Sequence, residues 1–229
     1  MNVKNALPLI LACSLAACQP AGKDANGQPT GVIGKALDQA SKGLQQASKE
    51  MDDAQKEIDQ AKQKLASENL SLNRGHVLII QGHNIVTGHG QAGLAKAEIT
   101  PAGDLLIDGK AVATTPEQKQ LVLAYRAQLI GIASAGIAIG MEGAKVGIDA
   151  AASVLASLAG GGSADAAGKQ AAQSAKERIK PQVEKLCGQL PDLLKAQQAL
   201  AATLPEFRPY ASMTESDVKD CTDKQDWNF

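Results

Sequence analysis

The most regular hydrophobic pattern lies near the N-terminus. Apolar residues recur there at spacings of four and three, with large side chains and alanines alternating: Ile33, Leu37, Ala40, Leu44, Ala47, Met51, Ala54, Ile58, Ala61 and Leu65. Between Asp38 and Lys64 every position outside this apolar set is polar or glycine. A seam of two apolar positions in seven predicts a helix within residues 33–70, about 50 Å long. The pattern leaves two interpretations open: a coiled-coil stalk, within one chain or between chains, and a surface helix docked on its own domain.

Residues 74–114 show the shorter pattern typical of β-strands. Brief apolar segments alternate with turn residues, and the segments lie at 76–80, 84–87, 95–100, 105–107 and 110–113. Asp108-Gly109 separates the last two, and this pair favours a two-residue hairpin turn because both central residues of a type I′ turn need positive φ. The region predicts a small antiparallel β meander.

The rest of the chain, residues 115–229, has a helical pattern. Thr115, Pro116 and Gln118 supply an N-cap, a first-turn proline and a capping box. The predicted helices run from 115 to about 158, from 164 to about 180 with Pro181 kinking or restarting the helix, from 191 to about 204, and from a Ser212 cap through Cys221. The predicted fold class is therefore α+β and mostly helical, with the meander followed by a helical bundle and preceded by the long heptad-repeat helix.

The first of these bundle helices carries two faces of different character. Gly136, Gly140, Gly143 and Gly147 fall on one face, and large residues fall on the second: Leu123, Ile130, Ile137, Met141, Ile148 and Leu155. Glycine costs about 1 kcal/mol against alanine in a helix interior, so four on one face predict close approach by a neighbouring helix.

The length of the apolar run in this helix bears on a membrane location. The uncharged stretch between Arg126 and Glu142 has 15 residues, fewer than the roughly 20 that span a bilayer. This favours the centre of a soluble bundle. The alternative is a membrane-active helix at residues 129–158 that inserts into the bilayer or oligomerises there.

The first residues resemble a bacterial lipoprotein signal peptide. Residues 1–17 contain Lys4 and an apolar run too short to span a bilayer. The run ends in Leu15-Ala16-Ala17-Cys18, which resembles a lipobox. The resemblance implies that Cys18 becomes the first residue of the mature protein and carries acyl chains, palmitate among them, that anchor the chain to the membrane.

The segment after the lipobox indicates which membrane carries the protein and how the fold is joined to it. Lipoproteins retained at the inner membrane commonly have Asp after the lipidated cysteine, whereas this chain has Gln19. In a Gram-negative host we therefore expect an outer-membrane lipoprotein on the periplasmic face. Residues 18–32 are rich in glycine, proline and small polar residues, and they predict a flexible tether.

Charge and cysteine content restrict the partners and the compartment. Removing residues 1–17 takes away Lys4, which leaves 22 basic and 24 acidic residues and a net charge of −2. This balance gives no support for a nucleic-acid partner. Cys187 and Cys221 remain once Cys13 is removed with the signal peptide and Cys18 is lipidated. An even pair in an oxidising compartment predicts a disulfide, whereas a redox-active pair would favour Cys-x-x-Cys.

The candidate chemical motifs do not meet the requirements of catalysis or metal binding. His76, His83 and His89 lie close together, but no cysteine or acid lies among them and zinc needs three or four convergent ligands, so we expect no metal. The glycine-rich loop at 160–169 lacks the glycine spacing and hydroxyl of a phosphate-binding loop. Ser134 is placed mid-helix rather than on a strand-to-helix turn.

Three charged residues remain to be interpreted. Glu142, Lys145 and Asp149 share one helix face and form a self-paired polar stripe in this interpretation. We therefore expect a non-enzymatic binding or structural role with no cofactor. The expected partners are the membrane, through lipid on Cys18, and a helical protein or a second copy of the chain.

Three stretches resemble a known family. ITPAGDLLIDGKAVATTPEQKQLVLAYRAQL, together with the later EKLCGQL and LPEFRPY…DC, is similar to the YggN-like family of bacterial envelope proteins of unknown function. The resemblance runs from about Arg74 to Cys221 and implies a periplasm-facing protein with a small β meander and a helical remainder. It supplies no activity and no catalytic residues, and the heptad helix is additional to it.

Overall fold

The structure is a computed structural model that describes residues 22–23, 29–30, 32–72, 77–80, 83–86 and 93–223. Its described part is mostly helical with a small four-stranded antiparallel sheet, which confirms the predicted α+β class. The chain divides into two compact units, residues 1–40 and 41–229. The second unit contains the sheet and the helical bundle.

The heptad pattern forms one long helix, as predicted. Helix α1 covers Val32–Ser67 and ends three residues before the predicted limit. Before it, strands β1 (Gly22–Lys23) and β2 (Pro29–Thr30) pair antiparallel within the segment predicted as a tether. Over the described chain, no other helix or strand packs along α1. The structure thus gives no support to the interpretation of α1 as a helix docked on its own domain.

The β region differs from a single meander. Its strands are β3 (Leu70–Ser71), β4 (Val77–Ile80), β5 (His83–Val86), β6 (Ala97–Ile99), β7 (Leu105–Ile107) and β8 (Lys110–Ala111). The four-stranded sheet has the order β3-β6-β7-β8, while β4 and β5 pair separately. The predicted antiparallel meander is present as β6-β7-β8, and the chain leaving α1 adds β3 as the edge strand beside β6. The predicted Asp108-Gly109 turn is confirmed, with φ values of 48° and 75°.

Five stretches make up the helical region: α2 (Pro116–Ala159), α3 (Ala164–Cys187), α4 (Leu190–Thr203), a 3-10 helix (Pro205–Tyr210) and α5 (Glu215–Asp223). The capping box is confirmed, since Thr115 Oγ1 accepts from Gln118 N at 3.2 Å and Gln118 Oε1 accepts from Thr115 N at 2.9 Å. Gln118 also donates to the Thr203 carbonyl at 2.7 Å, which joins the start of α2 to the end of α4.

Two helix boundaries differ from the prediction. The restart predicted at Pro181 is wrong, because α3 continues through this exposed proline to Cys187. The predicted Ser212 cap is also wrong. Thr214 caps α5 instead, with its Oγ1 accepting from Asp217 N at 3.4 Å and its N donating to Asp217 Oδ2 at 2.7 Å.

The core forms where α2, α3 and α4 meet the four-stranded sheet. Its large buried side chains include Ile99, Leu105, Val122, Ile179, Leu186, Leu193, Leu200 and Phe207. Tyr125 meets Phe207 edge to face with ring centroids 5.2 Å apart. Each large buried apolar side chain contributes about 1.5–3 kcal/mol. The core fixes α2 as far as Val146 and α3 from Ile179 onward, and both helices extend beyond it.

Candidate functional site

Beyond the core, α2 and α3 continue as a helical hairpin. α2 ends at Ala159, Gly160–Gly162 form the turn, and Ser163 caps α3 by accepting from Ala166 N at 3.4 Å. Residues 147–178 are termed the distal hairpin. No side chain within it is buried, whereas the residues flanking it, Val146 and Ile179, are only 6% and 2% exposed. The packing between the two helices therefore changes at this level.

An open cleft of about 510 Å³ lies between the helices of the distal hairpin. It is lined mainly by short or polar side chains: Val146, Asp149, Ala150, Ser153, Ser157, Ala166, Ala167, Gln170, Ala171, Ser174 and Arg178. Two serine hydroxyls bond to backbone carbonyls, Ser153 to Asp149 at 2.8 Å and Ser157 to Ser163 at 3.3 Å. Because such short side chains leave space unfilled, this half of the hairpin lacks the close packing of the core.

Arg178 of α3 bridges two acids of α2 at the core end of this cleft. Its Nε donates to Glu142 Oε1 and its Nη1 to Asp149 Oδ2, both at 2.7 Å. The bonds to Asp149 and Glu142 raise the pKa of Arg178. The predicted self-paired stripe of Glu142, Lys145 and Asp149 is therefore wrong. The two acids lie two helical turns apart and pair across the hairpin with Arg178, while Lys145 is exposed.

α2 also carries an apolar face on the side opposite the buried residues Ile139 and Val146. This outer face consists of large side chains at spacings of seven, four, seven and seven: Ile130, Ile137, Met141, Ile148 and Leu155. All five are half-buried, and none belongs to the core or packs against it. Leu158 continues the apolar surface toward the turn and is 46% exposed. Leu123, assigned to the same face from the sequence, lies against Gly103 instead.

The structure separates the four glycines that were predicted to form one packing face. Gly143 faces α3, since a Cβ there would lie 4.0 Å from Ile179 Cδ1, and Gly136 is half-buried. Gly140 and Gly147 are exposed, and a Cβ on either would meet no neighbouring atom within 4 Å. Within the described chain no neighbour approaches these two glycines closely, because α3 packs on the side of α2 that carries Ile139 and Val146, away from Gly140 and Gly147.

The alternative interpretation, in which α2 enters the bilayer, depends on the length and composition of this helix. Among the described residues, α2 is the one helix long and apolar enough to cross a membrane, and 33% of its most apolar window is buried. Soluble proteins bury helices of this kind in their cores. The length and composition of α2 are thus compatible with both predicted interpretations.

A buried cation attaches the end of α1 to α2. Arg126 is 4% exposed, and its Nη2 donates to the carbonyls of Leu65, Ala66 and Glu68 at 2.9, 3.0 and 2.8 Å. Its Nη1 donates to the Ile99 carbonyl at 3.1 Å. The last carbonyls of a helix lack intrahelical partners and carry the negative end of its dipole. Arg126 therefore caps the end of α1.

The charge of this guanidinium persists despite its burial. Desolvation lowers the pKa of Arg126, but an arginine side chain stays protonated in proteins. The sequence analysis missed this residue. The signal that indicates it is a lone charge among the buried positions Val122, Tyr125 and Leu129 of α2.

The remaining predicted site residues fall into two groups. The predicted disulfide between Cys187 and Cys221 is present, with Cα atoms 5.5 Å apart, and it joins α3 to α5. Cys18, His76 and His89 lie outside the described residues, and the side chain of His83 in β5 is not described. Within the part of the chain that is described, no group of three His, Cys, Asp or Glu side chains could hold a metal ion.

Ser134 and the serine of the glycine-rich loop at 160–169 both lie in or at the start of helices. Ser134 is half-buried in the middle of α2, and Ser163 is the N-cap of α3. The candidate sites among the described residues are the outer face of α2 and the distal cleft. Comparison with protein-family models, with curated proteins and with solved structures gives no match to this chain.

Proposed function

We propose that this protein is a lipid-anchored bacterial envelope protein that faces the periplasm and acts by binding a partner rather than by catalysis. The lipobox-like Leu15–Cys18 segment supports the anchor, and Gln19 supports the outer membrane as its location. The buried disulfide suits an oxidising compartment. The resemblance of residues 74–221 to the YggN-like envelope proteins agrees with this address.

The observation that carries the binding role is the outer face of α2. Five large apolar side chains there lie outside the core, and the exposed Gly140 and Gly147 border them. Solvent contact with such a surface is unfavourable at about 25 cal/mol per Å² of apolar area. Contiguous apolar surfaces of this kind mark interaction sites. A partner helix could approach closely over the glycines because they present no side chain.

Site-specific photocrosslinking in growing cells tests this role. A photoreactive residue at Met141, on the outer face, should give a discrete protein adduct. The matched control is the same residue at Lys169, which is exposed on α3. Ile137→Asp should abolish a second crosslink, placed at Ile148, without unfolding the protein. Equal adducts at Met141 and Lys169, or none at either, would contradict binding through the outer face.

The anchor has its own test. Metabolic labelling with palmitate should mark the wild type and leave Cys18→Ser unlabelled, and the variant should leave the membrane fraction. Gln19→Asp should move the protein from the outer to the inner membrane. Palmitate labelling of Cys18→Ser would remove the anchor from the proposal and leave the binding role untouched.

A second candidate is a membrane-active protein whose helix at 129–158 inserts into the bilayer. The length and composition of α2 favour it. Co-sedimentation of residues 19–229 with vesicles of phosphatidylethanolamine and phosphatidylglycerol distinguishes the two candidates. Insertion predicts binding that Ile148→Lys abolishes, together with lipid adducts at Met141. A folded protein that ignores the vesicles removes this candidate.

A further inference from the structure

Helix α1 presents a long apolar seam. Large residues and alanines alternate along the seam from Leu37 to Leu65, and none of them is buried. No described helix or strand packs along α1. Its C-terminal end is held by the hydrogen bonds from Arg126.

The spacing of the seam defines heptad positions. Large side chains occupy position a (Leu37, Leu44, Met51, Ile58 and Leu65) and alanines occupy position d (Ala40, Ala47, Ala54 and Ala61). A two-in-seven seam that continues for four heptads is the pattern of a coiled coil. It is too narrow for a helix lying on a globular core, which needs a wider apolar stripe.

The alanines indicate how many helices meet. Small side chains at position d let two helices approach closely. The large a residues of each helix then fit into spaces beside the alanines of the other. Three or four helices enclose a wider centre, where alanine would leave cavities that cost stability. The seam of α1 therefore fits a two-stranded coil.

The flanking charges indicate the direction of the second helix. Glu57 occupies position g and Lys62 the following e position, which meet across the interface when two identical helices run parallel and in register. The symmetry of the pair creates this contact twice. In an antiparallel coil with full overlap, Glu50 would face its own copy and the like charges would repel.

From these relations we propose that α1 forms a parallel two-stranded coiled coil with α1 of a second copy of this chain. The proposal goes beyond the partner-binding role of α2 and does not depend on it. Parallel helices also suit two chains anchored in one membrane at Cys18. Because Arg126 fixes the end of α1 to α2, the coil would hold the two bundles side by side.

Cysteine crosslinking of residues 19–229, which retain all described elements, tests the register. A parallel coil brings position 54 of both chains together, so Ala54→Cys should form a covalent dimer under mild oxidation. Lys56→Cys, two residues away on the outside of the coil, should remain mostly monomeric. Equal crosslinking of the two variants would indicate random collision and overturn the proposal.

Charge reversal tests the direction. Glu57→Lys and Lys62→Glu each turn two attractive contacts into repulsive ones, which should weaken the dimer about tenfold by sedimentation equilibrium. The double variant Glu57→Lys/Lys62→Glu should recover wild-type association, and a mixture of the two single variants should form heterodimers. No recovery in the double variant would contradict the parallel register.

Substitutions in the seam test whether it is the dimer interface. Ala54→Lys should weaken the dimer at least about a hundredfold, because two ammonium groups would be buried together. Gln46→Lys, on the outside of the helix, should leave the dimer intact. Circular dichroism should show both variants to be folded, since position 54 has no described partner helix. A wild-type chain that stays monomeric at about 100 μM, or that forms trimers, overturns the proposal.

Discussion

Arg126 Nη2 lies 2.8 Å from the carbonyl oxygen of Glu68, the first residue after α1. The same nitrogen also reaches the carbonyls of Leu65 and Ala66 in the last turn of the helix. One guanidinium thus serves several acceptors that water would otherwise solvate. Because these acceptors are neutral carbonyls, the charge is stabilised by aligned dipoles rather than by a carboxylate.

Replacement of Arg126 by methionine should therefore destabilise the second unit by about 2–4 kcal/mol. Methionine fills similar volume but removes the guanidinium donor from the four carbonyls. Urea unfolding followed by circular dichroism measures the loss. Arg178→Met is the matched control, because Arg178 is 40% exposed and solvent screens its ion pairs, so its loss should cost much less than that of Arg126. Equal costs for the two variants would contradict the capping role of Arg126.

The features predicted correctly from the sequence are those that local residues determine. The seam of α1, the Thr115–Gln118 capping box and the Asp108-Gly109 turn each depend on residues a few positions apart. Such interactions are present in any fold that contains the segment. The cysteine pair was predictable from compartment and parity, without geometry.

The features that were missed depend on which elements meet. Strand β3 has two residues, too few for a periodic signal, and forms because Leu70 and Ser71 lie beside Ile99 and Glu98. The four glycines of the predicted face have different surroundings, because α3 packs against only one side of that face. Arg178 pairs with Glu142 and Asp149 across the hairpin, a register that the sequence of α2 does not contain.

Removal of the disulfide should lower the free energy of unfolding of the bundle and leave its helix content nearly unchanged. Cys187 and Cys221 are 34 residues apart, and closing a loop of this size is worth about 3–4 kcal/mol in the chain-entropy model. Cys187→Ala/Cys221→Ala should lower the urea midpoint accordingly, with far-ultraviolet circular dichroism nearly unchanged. Wild-type protein under reducing conditions should match the double variant. A reduced wild type that retains full stability would refute this contribution.

The pair formed by Asp104 and Lys119 should make stability depend on pH in the acidic range. Lys119 Nζ lies 2.8 Å from Asp104 Oδ1, and this hydrogen bond lowers the pKa of Asp104. A depressed folded pKa stabilises the fold above the ordinary aspartate pKa of about 4, and the gain is lost as pH falls through the folded value. Because both side chains are more than a third exposed, the gain should stay below about 1 kcal/mol.

Urea midpoints of wild type and Asp104→Asn measured from pH 7 to pH 2 test this dependence. The wild type should be slightly more stable at pH 7, and the difference should begin to shrink near pH 4 and vanish once the pH lies below the depressed folded pKa. In a Lys119→Met background, the stability difference between Asp104 and Asp104→Asn should vary less with pH. A difference that grows toward low pH would have the wrong sign for a depressed pKa.

Two glycines with similar backbones should respond very differently to alanine. Gly103 and Gly109 have φ values of 85° and 75°, so both substitutions impose a left-handed backbone on an L-residue. This costs roughly 1–2 kcal/mol. At Gly109 the new methyl group meets open space, whereas at Gly103 it would lie 2.6 Å from Leu123 Cγ in the sheet-facing part of α2.

Gly109→Ala should therefore lose about 1 kcal/mol and Gly103→Ala at least about 3 kcal/mol, the difference measuring the overlap with Leu123. Gly103→Ala/Leu123→Ala relieves the overlap but keeps the backbone strain. Its coupling energy in a double-mutant cycle with the single variants should be favourable by more than about 1 kcal/mol. Additive losses would mean that Leu123 moves aside without cost and that backbone strain accounts for the whole effect.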